Sequence, residues 1–589
     1  MNIDLRANPF FLTEEDCDWV HETIAAMNDE EKVGQLFFQL TSSQKEEDLI
    51  ELIQTYHLGG CRYNPAPARE VWKQNRILQE NSKIPLFIAC NTESGGDGAC
   101  TDGTYIGNGM KIGATGNHDY AEDMGRMGNA EAAAIGCNMA FAPVCDIYYN
   151  PMNTEISTRA FSNDPEMVKK CSVEYVRGAH QNTDFACVAK HFPGNGVDYR
   201  DAHLSNHVND FSPKHWDETY GMVYKELIEN GVEGIMGGHI MLPEYVRELA
   251  PELPEEEVWM PATLNKTLMT TLLRDKLGFQ GVVVTDASHM VAMTNQMTRK
   301  EMLPRAINAG CDMFLFFNDP QEDFRTMLTA YQRGVISEER MTEALTRILG
   351  IKARLQLHKK SAAEMVPEKD TLDRVLGNEE FKKKQSEISE KSLTLVKYKD
   401  KDVLPISPEK YKKVMIVHIK GHEAGMVELL KLCGMEGKNP AETVKQKLCE
   451  RGYDAYVYES PLDQMKQKAL KGEKPDLNIY FAGKNAISEF REQADLVITL
   501  CDVMAGRPSF GMSKGGGEIP WYVFEVPVIA VGCGQPTMLS DIPQVRTYIN
   551  IYDAKENTLE KLIEALSSGA DAFVGKDPID SFCGLQDTK

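Results

Sequence analysis

Short apolar runs alternate with amphipathic helical stretches along the first part of the chain. This rhythm is typical of parallel β-strands joined by crossover helices. Eight such runs are present: Leu36–Phe38, Leu58–Cys61, Pro85–Ala89, Met139–Ala142, Cys187–Ala189, Gly234–Met236, Val282–Val284 and Met313–Phe317. Eight strand–helix units are what a (β/α)8 barrel requires, so the pattern predicts an α/β fold whose N-terminal part is a TIM-like barrel.

The amino-acid composition changes after residue 350. Residues 351–390 are rich in lysine and glutamate and predict a helical connection. Five further apolar runs then indicate a small α/β sheet, either doubly wound or sandwich-like: Val414–His418, Ala455–Tyr458, Leu496–Leu500, Val528–Val531 and Thr547–Ile551. The sequence therefore predicts a barrel at 1–350, a connection at 351–390 and a C-terminal α/β domain at 391–589.

Composition narrows the class of protein. The net charge of −24 argues against a nucleic-acid partner, because phosphate binding requires a basic face. The 14 cysteines contain no Cys-x-x-Cys pair, so we interpret them as reduced, mostly buried thiols. The first residues lack the features of a secretory signal, and no apolar run reaches membrane-spanning length. We expect a cytoplasmic protein with no membrane partner, either a monomer or a homodimer.

Polar residues follow many of the predicted strands. In a barrel these positions crowd the C-terminal mouth, where barrel enzymes carry their chemistry. The set comprises Gln39, Asn91, Glu93, Asp146, Lys190, His191, His239 and Asp286. Each ionisable group there must be solvated or paired, so their accumulation at one end indicates an active site.

A glycine-flanked loop follows the fifth predicted strand and carries an Asp-x-His pair. The segment begins Lys190-His191-Phe192-Pro193-Gly194-Asn195-Gly196 and ends in Asp201-Ala202-His203. An aspartate beside a histidine can hold the ring in one tautomer and stabilise its protonated form, which suits a proton donor working near neutral pH. The same pair is also common as a surface hydrogen bond, so the pair alone does not decide between these two interpretations.

Residues 190–203 resemble the signature of glycoside hydrolase family 3, and within it the β-N-acetylglucosaminidase branch. That motif reads Lys-His-Phe/Ile-Pro-Gly-x-Gly, four residues, then Asp-x-His, and this chain matches every fixed position. The resemblance covers residues 20–350 and includes Met27–Leu36, Ala142–Asp146, Arg159–Pro165, Pro261–Leu264 and Leu277–Asp286.

The resemblance implies a role for three residues. It assigns Asp286 as the nucleophile that forms a glycosyl-enzyme ester, and His203 as the general acid/base, oriented by Asp201. A retaining enzyme must keep one carboxylate ionised beside an oxocarbenium-like centre while another group protonates the leaving oxygen. From the residues alone, Asp201 or Asp198 remains an alternative acid, and Asp286 an alternative helix cap.

The resemblance also implies contacts to the sugar. Lys190, His191 and Arg159 would bind ring hydroxyls, with His239 and Asp146 as further contacts. After the third strand, family members usually read Asp-x-Glu-Gly-Gly-x-Val-x-Arg, whereas residues 91–100 here carry Asn91 in place of the aspartate, one inserted residue and no arginine. Asn91 still donates and accepts hydrogen bonds but lacks a charge-assisted acceptor.

These observations predict an exo-acting, retaining β-N-acetylhexosaminidase that releases terminal GlcNAc from cell-wall fragments or chitin-derived oligosaccharides. One alternative is a β-glucosidase or β-xylosidase of the family, with Glu459 or Glu518 as its acid. A second is phosphorolysis, and a third is a non-catalytic sugar-binding module. Transfer through an ester requires neither a metal nor an organic cofactor, so we expect no cofactor, no metal and a carbohydrate as the partner.

Overall fold

The computed structural model describes residues 3–41, 45–182, 185–421, 438–459, 461–474, 487–503 and 519–584. The chain forms two compact units. The first comprises Met1–Gly109 and His118–Lys384, and the second comprises Met110–Asn117 and Gln385–Lys589. Among the described residues, no helix combines the length and the apolar character needed to cross a membrane. The cysteines within the described ranges are all free thiols, and most of them are buried.

The first unit contains a closed barrel of eight parallel strands, as predicted. Ten strands of this unit are numbered along the chain, and β6 and β8 pair with each other outside the barrel. Their bounds are β1 (Phe37–Thr41), β2 (Gly60–Tyr63), β3 (Phe87–Cys90), β4 (Met139–Ala140), β5 (Ala186–Phe192), β6 (His207–Val208), β7 (Gly234–Gly237), β8 (Ile240–Met241), β9 (Val282–Ala287) and β10 (Met313–Leu315). All eight apolar runs coincide with barrel strands, so the predicted fold class is confirmed.

Helices alternate with these strands along the chain. The α-helices are Glu14–Ala26, Asp29–Gln35, Glu46–Tyr56, Ala68–Glu80, Gly109–Ala114, Asp119–Ala134, Pro165–Ala179, Pro213–Trp216, Met222–Glu229, Pro243–Leu249, Glu255–Val258, Val291–Thr294, Arg299–Ala309, Pro320–Gln332, Glu338–Arg354, Ala362–Met365, Lys369–Val375 and Glu379–Lys391. Two segments, Asp217–Gly221 and Thr267–Lys276, are π-helical.

Two of the sequence motifs begin helices. Asn28 caps Asp29–Gln35 through a capping box with Glu31: each side chain accepts a hydrogen bond from the backbone N–H of the other residue. Asp164 caps Pro165–Ala179, and Pro165 occupies the first helical turn, where its missing N–H costs nothing. These motifs therefore fix where two barrel helices start.

Alternate strand positions point into the barrel. The Phe38 ring on β1 lies 6.2 Å from Phe87 on β3 and 5.4 Å from Phe141, which follows β4. Because β1 is not hydrogen-bonded to either of these strands, the rings meet across the barrel interior. Gly60 of β2 pairs with both Phe38 and Phe87, and a Cβ there would overlap the Phe38 ring.

The same alternation carries ionisable side chains to the mouth. Val188 of β5 pairs with Gly234 of β7, which pairs with Val282 of β9. Side chains two residues apart share a face, so Lys190 on β5 and Asp286 on β9 continue these inward rows toward the C-terminal end. The barrel therefore directs a cation and a carboxylate into one opening.

The second unit is built on a six-stranded sheet in the order β11-β16-β15-β14-β12-β13. Its strands are β11 (Thr394–Tyr398), β12 (Lys413–Lys420), β13 (Asp454–Val457), β14 (Leu496–Asp502), β15 (Val528–Gly532) and β16 (Thr547–Asn550), and its further α-helices are Pro440–Glu450, Pro461–Leu470, Ile487–Gln493 and Glu556–Ser568. The five predicted strands are parallel and the sixth, β11, is antiparallel to β16. Apolar clusters cover both faces, which explains the continuous apolar runs.

Lys111 anchors the segment Met110–Asn117 in the second unit. Its ammonium group is fully buried and donates to Asp553 at 2.7 Å, to Ser389 at 3.0 Å and to Thr558 at 2.6 Å. A buried charge is tolerated only where it is paired and hydrogen-bonded. These contacts therefore tie a segment from the middle of the barrel sequence to the C-terminal sheet domain.

Candidate active site

Asp286 closes β9 at the mouth of the barrel. Its Oδ1 accepts a hydrogen bond from the Ala287 N–H at 2.7 Å. Burial alone would raise the pKa of this carboxyl, but the basic side chains of His191, His239 and Lys190, together with the Ala287 N–H, hold it below its ordinary value. Asp286 is therefore an anion at neutral pH, as a nucleophile must be.

Glu93 gathers the two cations predicted to contact the sugar. Arg159 donates to both of its carboxylate oxygens, from Nε at 2.9 Å and from Nη2 at 3.0 Å, and Lys190 Nζ lies 2.5 Å from Oε1. Burial lowers the pKa of Lys190 while the Glu93 charge opposes this effect, and the same carboxylate holds the pKa of Arg159 above its ordinary value. Glu93 thus fixes both cations in the site, although the sequence did not single it out for this role.

Asp146 is fully buried and orients the loop after β5. His191 Nδ1–H donates to its Oδ2 at 2.7 Å, and the backbone N–H groups of His191 and Asn195 donate to its Oδ1 at 3.2 and 2.7 Å. Arg159 Nη2 lies 3.4 Å from His191 Nε2. Asp146 therefore acts on the site through His191 in the described structure.

The two motif glycines allow this loop to pass close to its neighbours. Gly194 and Gly196 have φ values of +121° and +108°, which favour glycine. A Cβ on Gly196 would lie 1.9 Å from the Ile147 carbonyl oxygen, and one on Gly194 would lie 2.3 Å from the Tyr220 ring. The Gly-x-Gly spacing is thus a requirement of close packing under the loop.

His239 lies between β7 and β8 and is buried. Its Nε2–H donates to the Ala287 carbonyl oxygen at 3.1 Å, and its Nδ1 accepts from the Thr263 hydroxyl at 2.8 Å. Burial lowers its pKa, although the negative charge of Asp286 opposes this. The hydrogen bond from its ring to the residue after Asp286 supports the backbone that carries the carboxylate.

The Asp201–His203 pair lies on residues 197–207, called here the dyad loop. Asp201 Oδ1 accepts from His203 Nδ1 and from the His203 backbone N–H, both at 2.8 Å. The hydrogen bond that His203 donates to Asp201 raises the pKa of His203, more than offsetting its partial burial. The pair thus has the hydrogen bond and the pKa direction that a proton donor near neutral pH requires.

The dyad loop is docked on the segment that follows Asp286. Val291 N–H donates to the His203 carbonyl oxygen at 3.3 Å, and Ala292 N–H donates to the Ala202 carbonyl oxygen at 3.1 Å. Ala202 also packs in a small apolar cluster with Met290 and Ala292. The backbone at Ala202 and His203 is therefore held beside the segment that follows Asp286.

Asp198, the alternative acid, is engaged in the loop itself. Arg200 Nε and Nη2 donate to Asp198 Oδ2 at 2.9 and 2.7 Å, and the Val208 N–H donates to the same oxygen at 2.9 Å. These bonds hold the pKa of Asp198 below its ordinary value despite its burial. An acid needs a proton at neutral pH, so the arrangement does not favour Asp198 in that role.

Two site residues were missed on the sequence. Glu155 lies beside the dyad loop, and no pattern marks it in its irregular segment. Arg62 on β2 shares the inward face of Gly60; burial lowers its pKa, while negative groups including Glu93 and Asp286 oppose this. The signal for Arg62 was an arginine at the end of a predicted strand.

Asn91 follows β3 at the mouth, and its side chain makes no hydrogen bond within the described part of the chain. Its backbone is closely packed: a Cβ on Gly98 would lie 1.6 Å from the Asn91 carbonyl oxygen. Of the alternative acids in the second unit, Glu459 is exposed, and Glu518 lies outside the described residues.

Glu155, Asp201 and His203 are the described residues whose atoms could hold a metal ion, since one ligand atom from each lies within 4.8 Å of the others. A metal on His203 Nδ1 would replace the hydrogen bond to Asp201. These side chains are therefore better suited to the Asp201–His203 hydrogen bond than to holding a metal ion.

A family model described as the glycosyl hydrolase family 3 N-terminal domain matches residues 29–351. The chain belongs to glycoside hydrolase family 3. The predicted family is thus confirmed, and the protein is a glycoside hydrolase.

Similar proteins match nearly the full length of the given chain. It is 36% identical to a beta-N-acetylglucosaminidase/beta-glucosidase of Cellulomonas fimi over 598 residues, with 100% of both chains covered. A solved structure of beta-glucoside phosphorylase BglX is 33% identical, with a TM-score of 0.87 and 99% of both chains covered. A family 3 beta-N-acetylglucosaminidase of Paenibacillus sp. str. FPU-7 is 26% identical, with a TM-score of 0.77, covering 94% of the enzyme and 99% of that chain.

Proposed function

We propose that the enzyme is an exo-acting, retaining β-N-acetylhexosaminidase that removes terminal β-linked GlcNAc. The observation that carries this proposal is the pairing of an ionised Asp286 with a His203 whose pKa is raised, on segments hydrogen-bonded to each other. The names of the Cellulomonas and Paenibacillus relatives support GlcNAc as the sugar that is released.

The reaction runs in two steps. Asp286 attacks the anomeric carbon and forms a glycosyl ester, while the protonated His203 ring gives its Nε2 proton to the departing glycosidic oxygen. The neutral imidazole then takes a proton from water, the water oxygen bonds to the anomeric carbon, and Asp286 leaves as a carboxylate. Asp201 keeps the Nδ1 proton in place throughout.

Sugar recognition is assigned to the polar groups around Glu93. Lys190, His191 and Arg159 supply donors to ring hydroxyls, and Glu93 keeps the two cations in position. Asn91 stands where family members carry an aspartate after the third strand. The motif arginine has no counterpart there, and a cation on the neighbouring strand β2 is Arg62, which pairs with Ala89 of β3.

Phosphorolysis is the second candidate, favoured by the likeness to beta-glucoside phosphorylase BglX over the full chain. In that reaction, phosphate replaces water in the second step and the product is a sugar 1-phosphate. The first step is the same in both reactions, so Asp286 and His203 keep their roles.

One experiment tests both candidates. Purified enzyme is assayed on nitrophenyl β-glycosides of GlcNAc, glucose and xylose, with and without inorganic phosphate, and the sugar product is identified. We expect turnover of the GlcNAc substrate and a loss of at least about 10³-fold in kcat for Asp286→Ala, since a nucleophile has no substitute. The exposed variant Asp275→Ala serves as the control. Near-normal activity of Asp286→Ala would overturn the mechanism, preference for glucose would correct the substrate, and sugar 1-phosphate would select phosphorolysis.

A further inference from the structure

Glu155 is a buried carboxylate at the site that neither the sequence nor the family resemblance brought out. It lies in the segment after β4, four residues before Arg159, and its side chain is only 5% exposed. The Arg159 Nη1 group donates to its backbone carbonyl oxygen at 3.3 Å. Glu155 therefore connects the sugar-binding side of the site with its other neighbour, the dyad loop.

The Glu155 side chain contacts the dyad loop between its two functional residues. Oε2 accepts the Ala202 N–H at 3.1 Å, so the carboxylate holds the peptide that separates Asp201 from His203. Oε1 lies 4.0 Å from His203 Nδ1, and Oε2 lies 3.8 Å from His207 Nδ1. His203 Nδ1 is already bonded to Asp201, and His207 Nδ1 to the Arg200 carbonyl oxygen. Glu155 therefore acts on His203 by its charge and not by a hydrogen bond.

We infer that Glu155 is a positioning residue of the dyad: it anchors the Ala202 peptide and supplies a second negative charge behind His203. The inference rests on the proposed function of His203 as acid/base. It goes beyond that function because it assigns part of the acid's behaviour to a residue outside the Asp-x-His motif.

The electrostatics of His203 agree with this role. The charged and titratable groups of the described residues around it are Asp201 on its own loop, His207 at the end of that loop, Glu155 after β4, Asp286 on β9 and His239 after β7. The hydrogen bond to Asp201 contributes most to its raised pKa, and the Glu155 charge adds to it. A buried charge is screened less than an exposed one, so its effect persists at physiological salt.

Two substitutions separate the two parts of the role. Glu155→Gln keeps an acceptor for the Ala202 N–H but removes the charge, so the basic limb of the kcat/KM pH profile should move down by about 0.5–1 pH unit. Glu155→Ala also removes the acceptor, so kcat should fall by a further factor of about 10 or more as the loop loses its anchor. In both variants the loss should be larger for substrates with poor leaving groups, because the effect passes through His203.

The measurement uses the full chain, a GlcNAc substrate series of graded leaving groups, and Glu166→Gln as a matched control on the surface. Thermal unfolding of each variant checks that the fold is kept, and Glu155→Gln carries the test if Glu155→Ala fails to fold. An unchanged pH profile in Glu155→Gln, or equal losses for all leaving groups, would overturn the inference. Asp286→Ala and His203→Ala are assayed in parallel, because those variants stay active only if the proposed mechanism is wrong. If both lose activity while the Glu155 variants behave as the control, the inference about Glu155 fails and the mechanism stands.

Discussion

The site depends on two residues whose proton affinities are set by opposite surroundings. Asp286 is surrounded by basic groups, and its pKa lies below the ordinary value; His203 is hydrogen-bonded to a carboxylate, and its pKa lies above. As a general rule, two titratable groups whose surroundings shift their pKa values in opposite directions take separate roles in acid–base chemistry. Here the rule separates a nucleophile that stays ionised from an imidazole that carries a proton.

The role of His203 predicts a dependence on the leaving group. In His203→Ala, kcat/KM for alkyl β-GlcNAc substrates should fall by about 10²–10⁴-fold, because their departing oxygen requires protonation. For dinitrophenyl β-GlcNAc, whose leaving group departs as a stable anion, the loss should be small. The slope of log kcat/KM against leaving-group pKa measures this difference.

The control is His118→Ala, which removes a surface histidine bonded to Asp119 at 3.1 Å. It has the same Asp–His chemistry outside the site, and its slope should match that of the unchanged enzyme. A His203→Ala variant with that same slope would show that another group donates the proton.

Asp286 and Lys190 were predicted from a sequence signal; Arg62 has a similar signal and was overlooked, and Glu155 has none. Asp286 and Lys190 stand at the ends of strongly apolar strands, so the barrel pattern alone directs them to the mouth. Glu155 lies in an irregular segment without periodicity, and its partners Ala202 and His203 are distant in the sequence. Contacts of this kind depend on how loops meet after folding, which one sequence does not reveal.

At the level of elements, every apolar run predicted a strand, and elements without a distinct pattern were missed. All eight barrel strands follow apolar runs, including the glycine-rich β2. The edge strand β11 was missed because its burial is only partial and Lys397 interrupts its apolar residues. The π-helical segments Asp217–Gly221 and Thr267–Lys276 were also not predicted, because they share the composition of ordinary helices.

Asp312 connects several barrel elements and predicts a large effect on stability. It is fully buried and directly precedes β10; its Oδ2 accepts from Arg274 at 2.7 Å and from the Val283 N–H at 2.9 Å, and its Oδ1 accepts from Arg340 at 2.7 Å. Asp312→Asn should lower the free energy of unfolding by about 3–5 kcal/mol, since it leaves buried guanidinium groups without their counterion. Thermal and urea unfolding measure the loss.

The matched control for this prediction is Asp275→Asn, an exposed carboxyl next to Arg274 in the sequence, which should change stability little. Asp312 lies at the end of the barrel opposite the mouth, where residues serve stability. Activity measured well below the unfolding temperature should therefore be kept. A stable Asp312→Asn variant would show that the arginines find other partners.

At the scale of the whole molecule, sequence composition and three-dimensional contacts divide the chain by different criteria. The predicted boundaries lie where the amino-acid composition changes, whereas the compact units are defined by contacts between residues that are distant in the sequence. Lys111 illustrates the difference: it sits in the middle of the barrel sequence but bonds Ser389, Asp553 and Thr558. Nothing local to residue 111 indicates these partners.

Lys352 predicts how the stability of the molecule varies with pH. It lies in Glu338–Arg354, is fully buried, donates to Gln35 at 2.7 Å and sits 5.1 Å from the centre of the Phe87 ring. Burial lowers its pKa to about 7, from 10.5. Between these values the unfolded chain binds a proton that the folded chain does not, so this residue makes stability rise with pH, by about 1.4 kcal/mol per unit.

Lys352→Met removes this dependence, because methionine fills a similar volume without a charge to bury. The variant should be more stable than the unchanged enzyme at pH 7. Its advantage should shrink as the pH rises from 7 to 9, because releasing the Lys352 proton on folding then costs less free energy. Urea midpoints at pH 7, 8 and 9 measure the difference, with the exposed Lys225→Met as control. A constant advantage across this range would contradict the prediction, because it would mean that the buried Lys352 keeps its proton. In that case Gln35 and the Phe87 ring would offset the cost of burying the cation.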